Sequence, residues 1–279
     1  MMEPVLKWAG GKRQILKSLH SIISPKDLVG HTLYEPFVGG GSVFLSFEHS
    51  DVVINDSNKE LINTYKQIKL HPQKLIGLLE KYNENHCKEF YYAVRDEERK
   101  DSFRDVSEIE RAARTIYLNR TCFNGLYRVN RNGFFNVPIG SYVKPQIVRA
   151  EQIIAMSQYL RQNHIVIRLG DFEESVFDCK PGDIVYCDPP YDYDNNKDGF
   201  IRYTAERFFE DDLVRLGRMC EDLLNKGCVV IISNNDTPSV RRVFSDERFE
   251  FRNIQGRRMI NNTSNKRKGV KEVIIYGKG

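Results

Sequence analysis

Apolar, β-branched runs of five to seven residues recur along the chain: HTLYEPF (31–37), DVVIN (51–55), HIVIRL (164–169), DIVYC (183–187), CVVIIS (228–233), FEFRNI (249–254) and EVIIY (272–276). Most are too continuously apolar for strands with one wet face, so they predict a sheet covered on both sides. Between them, apolar positions recur at helical period over 13–23, 57–82, 107–119, 146–162 and 211–226. Strands alternating with helices predict an α/β fold with a doubly wound, mostly parallel, seven-stranded sheet. Only the basic stretch QGRRMINNTSNKRKGV separates the last two runs, with no helical pattern in it. Those two predict an antiparallel hairpin with a long loop.

One interval breaks this rhythm. About 110 residues lie between Ile54 and His164, with helical patterns and the loop-rich NRTCFNGLYRVNRNGFFNVPIGSY but no apolar strand. The expectation is an inserted, mainly helical unit over 67–145, with 1–66 and 146–279 forming the sheet domain.

A chain of 279 residues, 41% of them hydrophobic, can bury a sizeable core. No apolar run approaches the roughly 20 residues that a bilayer span needs, and MMEPVLKWAGGKRQ lacks the apolar centre of a signal peptide. A soluble, cytoplasmic monomer with no membrane partner is expected. The six cysteines are scattered, without a C-x-x-C pair or clustered histidines, so reduced thiols and no metal site are expected. Cys187 and Cys228 fall inside apolar strand patterns and read as core filler.

Charge changes the picture. The net charge is only +4, yet 111–150 and 251–271 together hold 14 of the 42 Lys and Arg residues and none of the 38 Asp and Glu residues. The excess of positive charge is therefore carried by two segments, which suggests a polyanion docking on particular surfaces. The first segment interleaves its cations with Tyr117, Phe123, Tyr127, Phe134, Phe135 and Tyr142, a mixture suited to phosphate contact with stacking or wedging.

In sheets of this kind ligands bind beyond the carboxyl ends of strands. Gly39-Gly40-Gly41 after the first run lets the backbone turn tightly and approach a ligand. It matches neither the dinucleotide pattern G-x-G-x-x-G nor a phosphate loop. Asp56 ends the second run at the offset where an acid commonly accepts hydrogen bonds from ribose hydroxyls. Trp8, the single tryptophan, is flanked by Lys7 and Lys12 and offers a flat wall beside cations. Taken singly, a tight turn, a helix cap and a packed indole explain these three as well. Asp188-Pro189-Pro190-Tyr191, closing the DIVYC run, is the most specific cluster. Its prolines remove N–H donors, so a carboxylate and carbonyls remain as acceptors beside a stacking ring. That suits an amino group on a flat ring.

LKWAGGK, EPFVGGGSVF, INDSN, NGLYRVNRNGFFNVPIG and VYCDPPY, in that order, resemble the Dam-type N6-adenine DNA methyltransferases (D12 class, alpha motif order), and the likeness covers nearly the whole chain. The resemblance implies a Rossmann-like methyltransferase fold, S-adenosylmethionine as cofactor, and double-stranded DNA as partner, methylated at adenine, in GATC. It implies that Trp8, Lys12, Pro36, Phe37, Gly39, Gly40, Gly41, Asp56, Asp171, Phe172 and Asp188 border the cofactor, and that Asp188, Pro189, Pro190 and Tyr191 are catalytic. Lys7, Arg120, Phe123, Asn124, Arg128, Asn130 and Pro138 fall on or beside positions that such enzymes use to touch DNA. Arg257, Lys266, Arg267 and Lys268 are expected to grip its backbone, and 192–203 to form a lid. The sequence departs from the pattern at NVPIGSY, where Ser141 stands in place of a base-reading side chain. Two other readings stay open on the residues: a methyltransferase for RNA adenine or a protein amide, and a DNA-binding regulator without catalysis.

Overall fold

The computed structural model describes residues 2–8, 13–191, 208–254 and 271–279. In chain order the helices and strands are α1 (Arg13–Ile22), β1 (Leu33–Glu35), α2 (Phe44–Phe47), β2 (Asp51–Asp56), α3 (Lys59–Leu70), α4 (Pro72–Glu84), α5 (Lys88–Asp96), α6 (Glu108–Thr121), α7 (Ala150–Gln162), β3 (His164–Leu169), β4 (Ile184–Cys187), α8 (Glu210–Asn225), β5 (Val229–Asn235), α9 (Pro238–Val243), β6 (Phe249–Asn253) and β7 (Glu272–Lys278). All seven apolar runs are strands. They form one seven-stranded sheet in the order β3-β2-β1-β4-β5-β7-β6, with β2–β3, β1–β4 and β4–β5 parallel. β7 pairs antiparallel with both β5 and β6. The strand order reverses between β1 and β4, the switch point at which open α/β sheets bind ligands.

The chain divides into two compact units. The first holds 38–171 and the N-terminal segment, with β2, β3 and α2 to α7. Here β2 is buried through Val52, Val53 and Ile54, whereas β3 is an edge strand that leaves Val166 and Leu169 exposed. The reading of both faces as covered therefore fails at this edge. A second departure is the run 57–82, which is two helices broken at His71-Pro72. Proline lacks the N–H and disfavours helix in the residue before it, so it begins α4 at its first turn. The expected insertion, 67–145, lies within this unit. Its core is aromatic: Tyr91 and Tyr117 are fully enclosed, and the Tyr91 hydroxyl donates to the Val137 carbonyl at 2.9 Å.

The second unit holds β1, β4 to β7, α1, α8 and α9. All four β4 residues are buried, as are six of the seven in β5, which fits strands covered on both faces. Cys187 and Cys228 are fully buried free thiols, as core filler should be. The hairpin of β6 and β7 forms as the missing helix between them predicted, and its connection, 255–270, lies outside the described residues.

Candidate active site

In the first unit the glycine turn is built against β2. Val38 N–H donates to the Asn55 carbonyl (2.8 Å), Gly39 N–H to Asp56 Oδ2 (3.1 Å), and Gly41 N–H to the Val38 carbonyl (2.9 Å). The buried Tyr65 hydroxyl donates to the Gly39 carbonyl at 2.8 Å. Gly39 and Gly41 have φ of 49° and 76°, in the left-handed region that favours glycine. Space demands glycine as well. A Cβ on Gly40 would lie 2.7 Å from the Trp8 side chain, and one on Gly41 would lie 2.5 Å from the Phe44 ring and 2.6 Å from the Tyr65 hydroxyl.

Asp56 closes β2. Besides Gly39, it accepts from the Asn58 backbone N–H at Oδ1 (2.9 Å), while the Asn58 side chain caps α3. Burial pushes its carboxyl up to about 6, against the lowering effect of these backbone donors. Gly170 is drawn to the same strand end, accepting from Asn55 Nδ2 at 3.1 Å, with half-exposed Asp171 next in the chain.

Trp8 packs over Gly39 and Gly40 and stacks on Tyr127, with ring centroids 5.4 Å apart at 22°. The indole is thus part of the turn's support. Asn119, missed in the sequence because a polar residue on a helix carries no signal, pins this segment. It accepts from Lys7 N–H (2.8 Å) and donates to the Lys7 carbonyl (2.7 Å) and the Gly125 carbonyl (3.2 Å). Lys12 lies outside the described residues.

Of the DNA candidates in this unit, Phe123, Asn124 and Pro138 are exposed and adjacent, Phe123 N–H donating to the Pro138 carbonyl at 2.9 Å. Asn124 has φ 54°. Lys7 Nζ sits 4.1 Å from the centre of the exposed Tyr142 ring. Arg128 is half-buried and donates through Nε to Asn136 Oδ1 (2.7 Å), and Asn130 caps its own turn through the Asn132 and Phe134 N–H groups. Arg120 is buried, with Nε on the Gln146 carbonyl at 2.9 Å, a supporting position rather than a surface one.

In the second unit the catalytic candidates follow β4. Asp188 is half-buried, Pro189 buried, Pro190 exposed and Tyr191 half-buried. The register Tyr186↔Ile231 and Cys187↔Ile232 brings Asp188 alongside Ser233, and residues two apart on a strand share a face. Ser233 Oγ donates to Asp188 Oδ1 at 2.9 Å, and the Tyr186 hydroxyl lies 2.7 Å from Ser233 Oγ. Neither Ser233 nor Tyr186 was a candidate; the signal was their placement one step along neighbouring parallel strands. Pro36 is buried beyond β1. Phe37 stacks on Phe172 (5.2 Å, 28°), and the Arg215 guanidinium lies over Phe172 at 4.9 Å. Arg257, Lys266, Arg267, Lys268 and the expected lid, 192–203, lie outside the described residues.

Comparison with known proteins bears on the family of the chain. Residues 8–260 match the model of the D12 class N6 adenine-specific DNA methyltransferases. The chain is 40% identical to Type II methyltransferase M1.LlaDCHI of Lactococcus lactis subsp. cremoris, over 100% of this chain and 96% of that one. It is 37% identical to Type II methyltransferase M.MjaIII of Methanocaldococcus jannaschii, over 98% of each. With the DNA adenine methylase of Escherichia coli K12 the identity is 33%, over 98% of this chain and 94% of that one.

Proposed function

Because the chain belongs to the family of D12 class N6 adenine-specific DNA methyltransferases, we propose that it methylates N6 of an adenine flipped out of duplex DNA, within GATC. Membership carries the coarser facts: the protein is an adenine-specific DNA methyltransferase, and its methyl donor is S-adenosylmethionine. The observation supporting the amine as target is the Asp188 carboxylate at the carboxyl end of β4, held by Ser233 and followed by the acceptor-only Pro189, while GATC rests on the family resemblance, from which Ser141 departs.

The first unit's residues fit such a donor. A bare glycine backbone that tolerates no Cβ can pass close to a ligand, and the Asp56 carboxylate beside it suits ribose hydroxyls. Gly39, Gly40, Gly41, Asp56 and Trp8, with Asp171, would hold it in this unit; Pro36, Phe37 and Phe172 are the cofactor candidates of the second unit. The bound cofactor supplies a methyl group already activated on a sulfonium.

The protein's own task is then the nucleophile. The N6 lone pair is delocalised into the adenine ring, and attack requires the amine to leave that plane. Asp188 and the Pro189 carbonyl accept its hydrogens and stabilise the positive charge that develops, a preorganised electrostatic effect. The Tyr191 ring stacks on the base and fixes its position. Asp188 need not act as a base, because the methylated ammonium is strongly acidic and loses its proton afterwards.

Flipping a base costs a few kcal/mol, which contacts to the duplex must offset. Exposed Phe123, Asn124 and Pro138, with Lys7 on Tyr142, support a DNA-facing role for 67–145. Arg128 is assigned to base reading, Asn130 to the shape of its own turn, and Arg120 to support from within. Arg257 and Lys266 to Lys268 are assigned to the phosphate backbone on charge alone.

Among the described residues no helix is long and apolar enough to cross a membrane, and no group of three or more side chains could hold a metal ion. A cytoplasmic monomer is part of the proposal. Purified protein given labelled S-adenosylmethionine should label duplex DNA containing GATC and leave RNA and peptide unlabelled. Label in RNA or peptide alone would overturn the reading.

A further inference from the structure

The acceptor at the centre of the proposed reaction is itself held by a buried hydroxyl, which is held in turn by a second. Ser233 is fully enclosed on β5, Tyr186 nearly so on β4, and with Asp188 they form a chain of two hydrogen bonds of 2.7 and 2.9 Å. The direction of that chain follows from proton count. An ionised carboxylate only accepts, so the single Ser233 proton goes to Asp188 Oδ1. The Ser233 oxygen must then accept from the Tyr186 hydroxyl. Tyr186 is a dependable donor, because burial and the nearby Asp188 charge push its hydroxyl well above the usual tyrosine range.

A fold that needed only packing would place apolar atoms here. Phenylalanine at 186 and alanine at 233 would fill the two strands without burying two hydroxyls, and buried polar groups are costly unless satisfied. Among the described residues the pair is satisfied by terminating on Asp188. The covalent spacing adds to this: Tyr186 and Asp188 point to one face of β4, and Ser233 reaches both from the neighbouring strand.

We infer that Tyr186 and Ser233 are positioning residues that fix the plane of the Asp188 carboxylate for the amine of the target base. This deepens the proposed function and rests on Asp188 being the acceptor. The relay acts on the transfer step and not on binding. A carboxylate that rotates about its χ angles is a poorer preorganised acceptor in the transition state, whereas the affinities are assigned mainly to the glycine turn with Asp56 and to 67–145.

Single-turnover methylation of a GATC duplex, measured with cofactor and DNA both saturating, reads this directly. Ser233→Ala should slow transfer roughly tenfold, the size expected for one hydrogen bond to a charged group. Tyr186→Phe, which removes one oxygen and keeps the ring, should slow it by a smaller factor. The double variant should be no slower than Ser233→Ala alone, because removing Ser233 already disconnects the tyrosine. Dissociation constants for S-adenosylmethionine and duplex should be unchanged. Wild-type transfer rates in both single variants, with Asp188→Ala inactive, would sink the relay and leave the acceptor reading standing. Full activity in Asp188→Ala would sink the acceptor reading itself. Losses confined to cofactor or DNA affinity would also overturn the relay, by showing a binding or purely structural part.

Discussion

The Gly39 backbone N–H donates to Asp56 Oδ2 at 3.1 Å, so the carboxylate at the end of β2 is also the clasp of the glycine turn. Burial raises this group from its ordinary 3.8 to about 6. Between those values the folded protein holds the proton more tightly than the unfolded chain does. The contribution of Asp56 to folding stability therefore falls as pH rises through that window, and its charge is a cost above about 6. Hydroxyl donors from a ribose favour the charged form and work in the opposite direction. Calorimetric affinity for S-adenosylmethionine should fall as pH drops below about 6, and Asp56→Asn should flatten that dependence while weakening binding at pH 7.5.

Gly41 and Gly77 make a matched pair for stability. At Gly41 a Cβ would meet Phe44 and Tyr65 within 2.6 Å at φ 76°, whereas at Gly77 in α4 nothing lies within 4 Å. Gly41→Ala should cost about 2–4 kcal/mol, from left-handed strain and overpacking together. Gly77→Ala should add about 0.5–1 kcal/mol through helix propensity. Urea melts of both variants test the contrast, and equal stabilities would contradict the turn's geometry.

The Asn119 side chain spans three backbone groups, those of Lys7 N–H, Lys7 carbonyl and Gly125 carbonyl. Asn119→Ala leaves them without their partner and should cost about 2–4 kcal/mol. Trp8 is the single tryptophan and follows Lys7 directly, so its emission reports the release of the segment. A red shift in native buffer is expected; an unchanged spectrum would show that packing on Tyr127 suffices.

Two basic residues should separate in a salt titration of duplex binding. Arg120 is enclosed, and Arg120→Ala should lower Tm while leaving the slope of log K against log salt unchanged. Lys266→Ala should weaken all sequences alike and reduce the slope by about one. A changed slope for Arg120→Ala would place that guanidinium on phosphate.

What was legible in the sequence is what periodicity and strand ends encode. The seven strands, the terminal hairpin, the tight turn at Gly39 to Gly41 and the place of Asp188 at a strand end were readable because each is a local pattern. The break at His71-Pro72 was present in the letters, but the helical period on either side of it hid the proline. Ser233 was not readable, since its part depends on the register of β4 against β5, and register is set by the whole sheet. Arg120 carried the charge of a DNA contact, and burial, which composition cannot show, gave it another place. Trp8 read as a wall for a ligand, and its packing on Gly39, Gly40 and Tyr127 is a contact that the letters could not show.

The claim that Asp188 is the acceptor for the adenine amine is tested most directly by methyl transfer from labelled S-adenosylmethionine to a GATC duplex, with duplex affinity measured in parallel for wild type and Asp188→Ala. The wild type should yield N6-methyladenine, and the variant should lose at least about 10²–10³-fold in transfer while keeping duplex affinity within about twofold. Turnover in Asp188→Ala close to that of the wild type would contradict the claim.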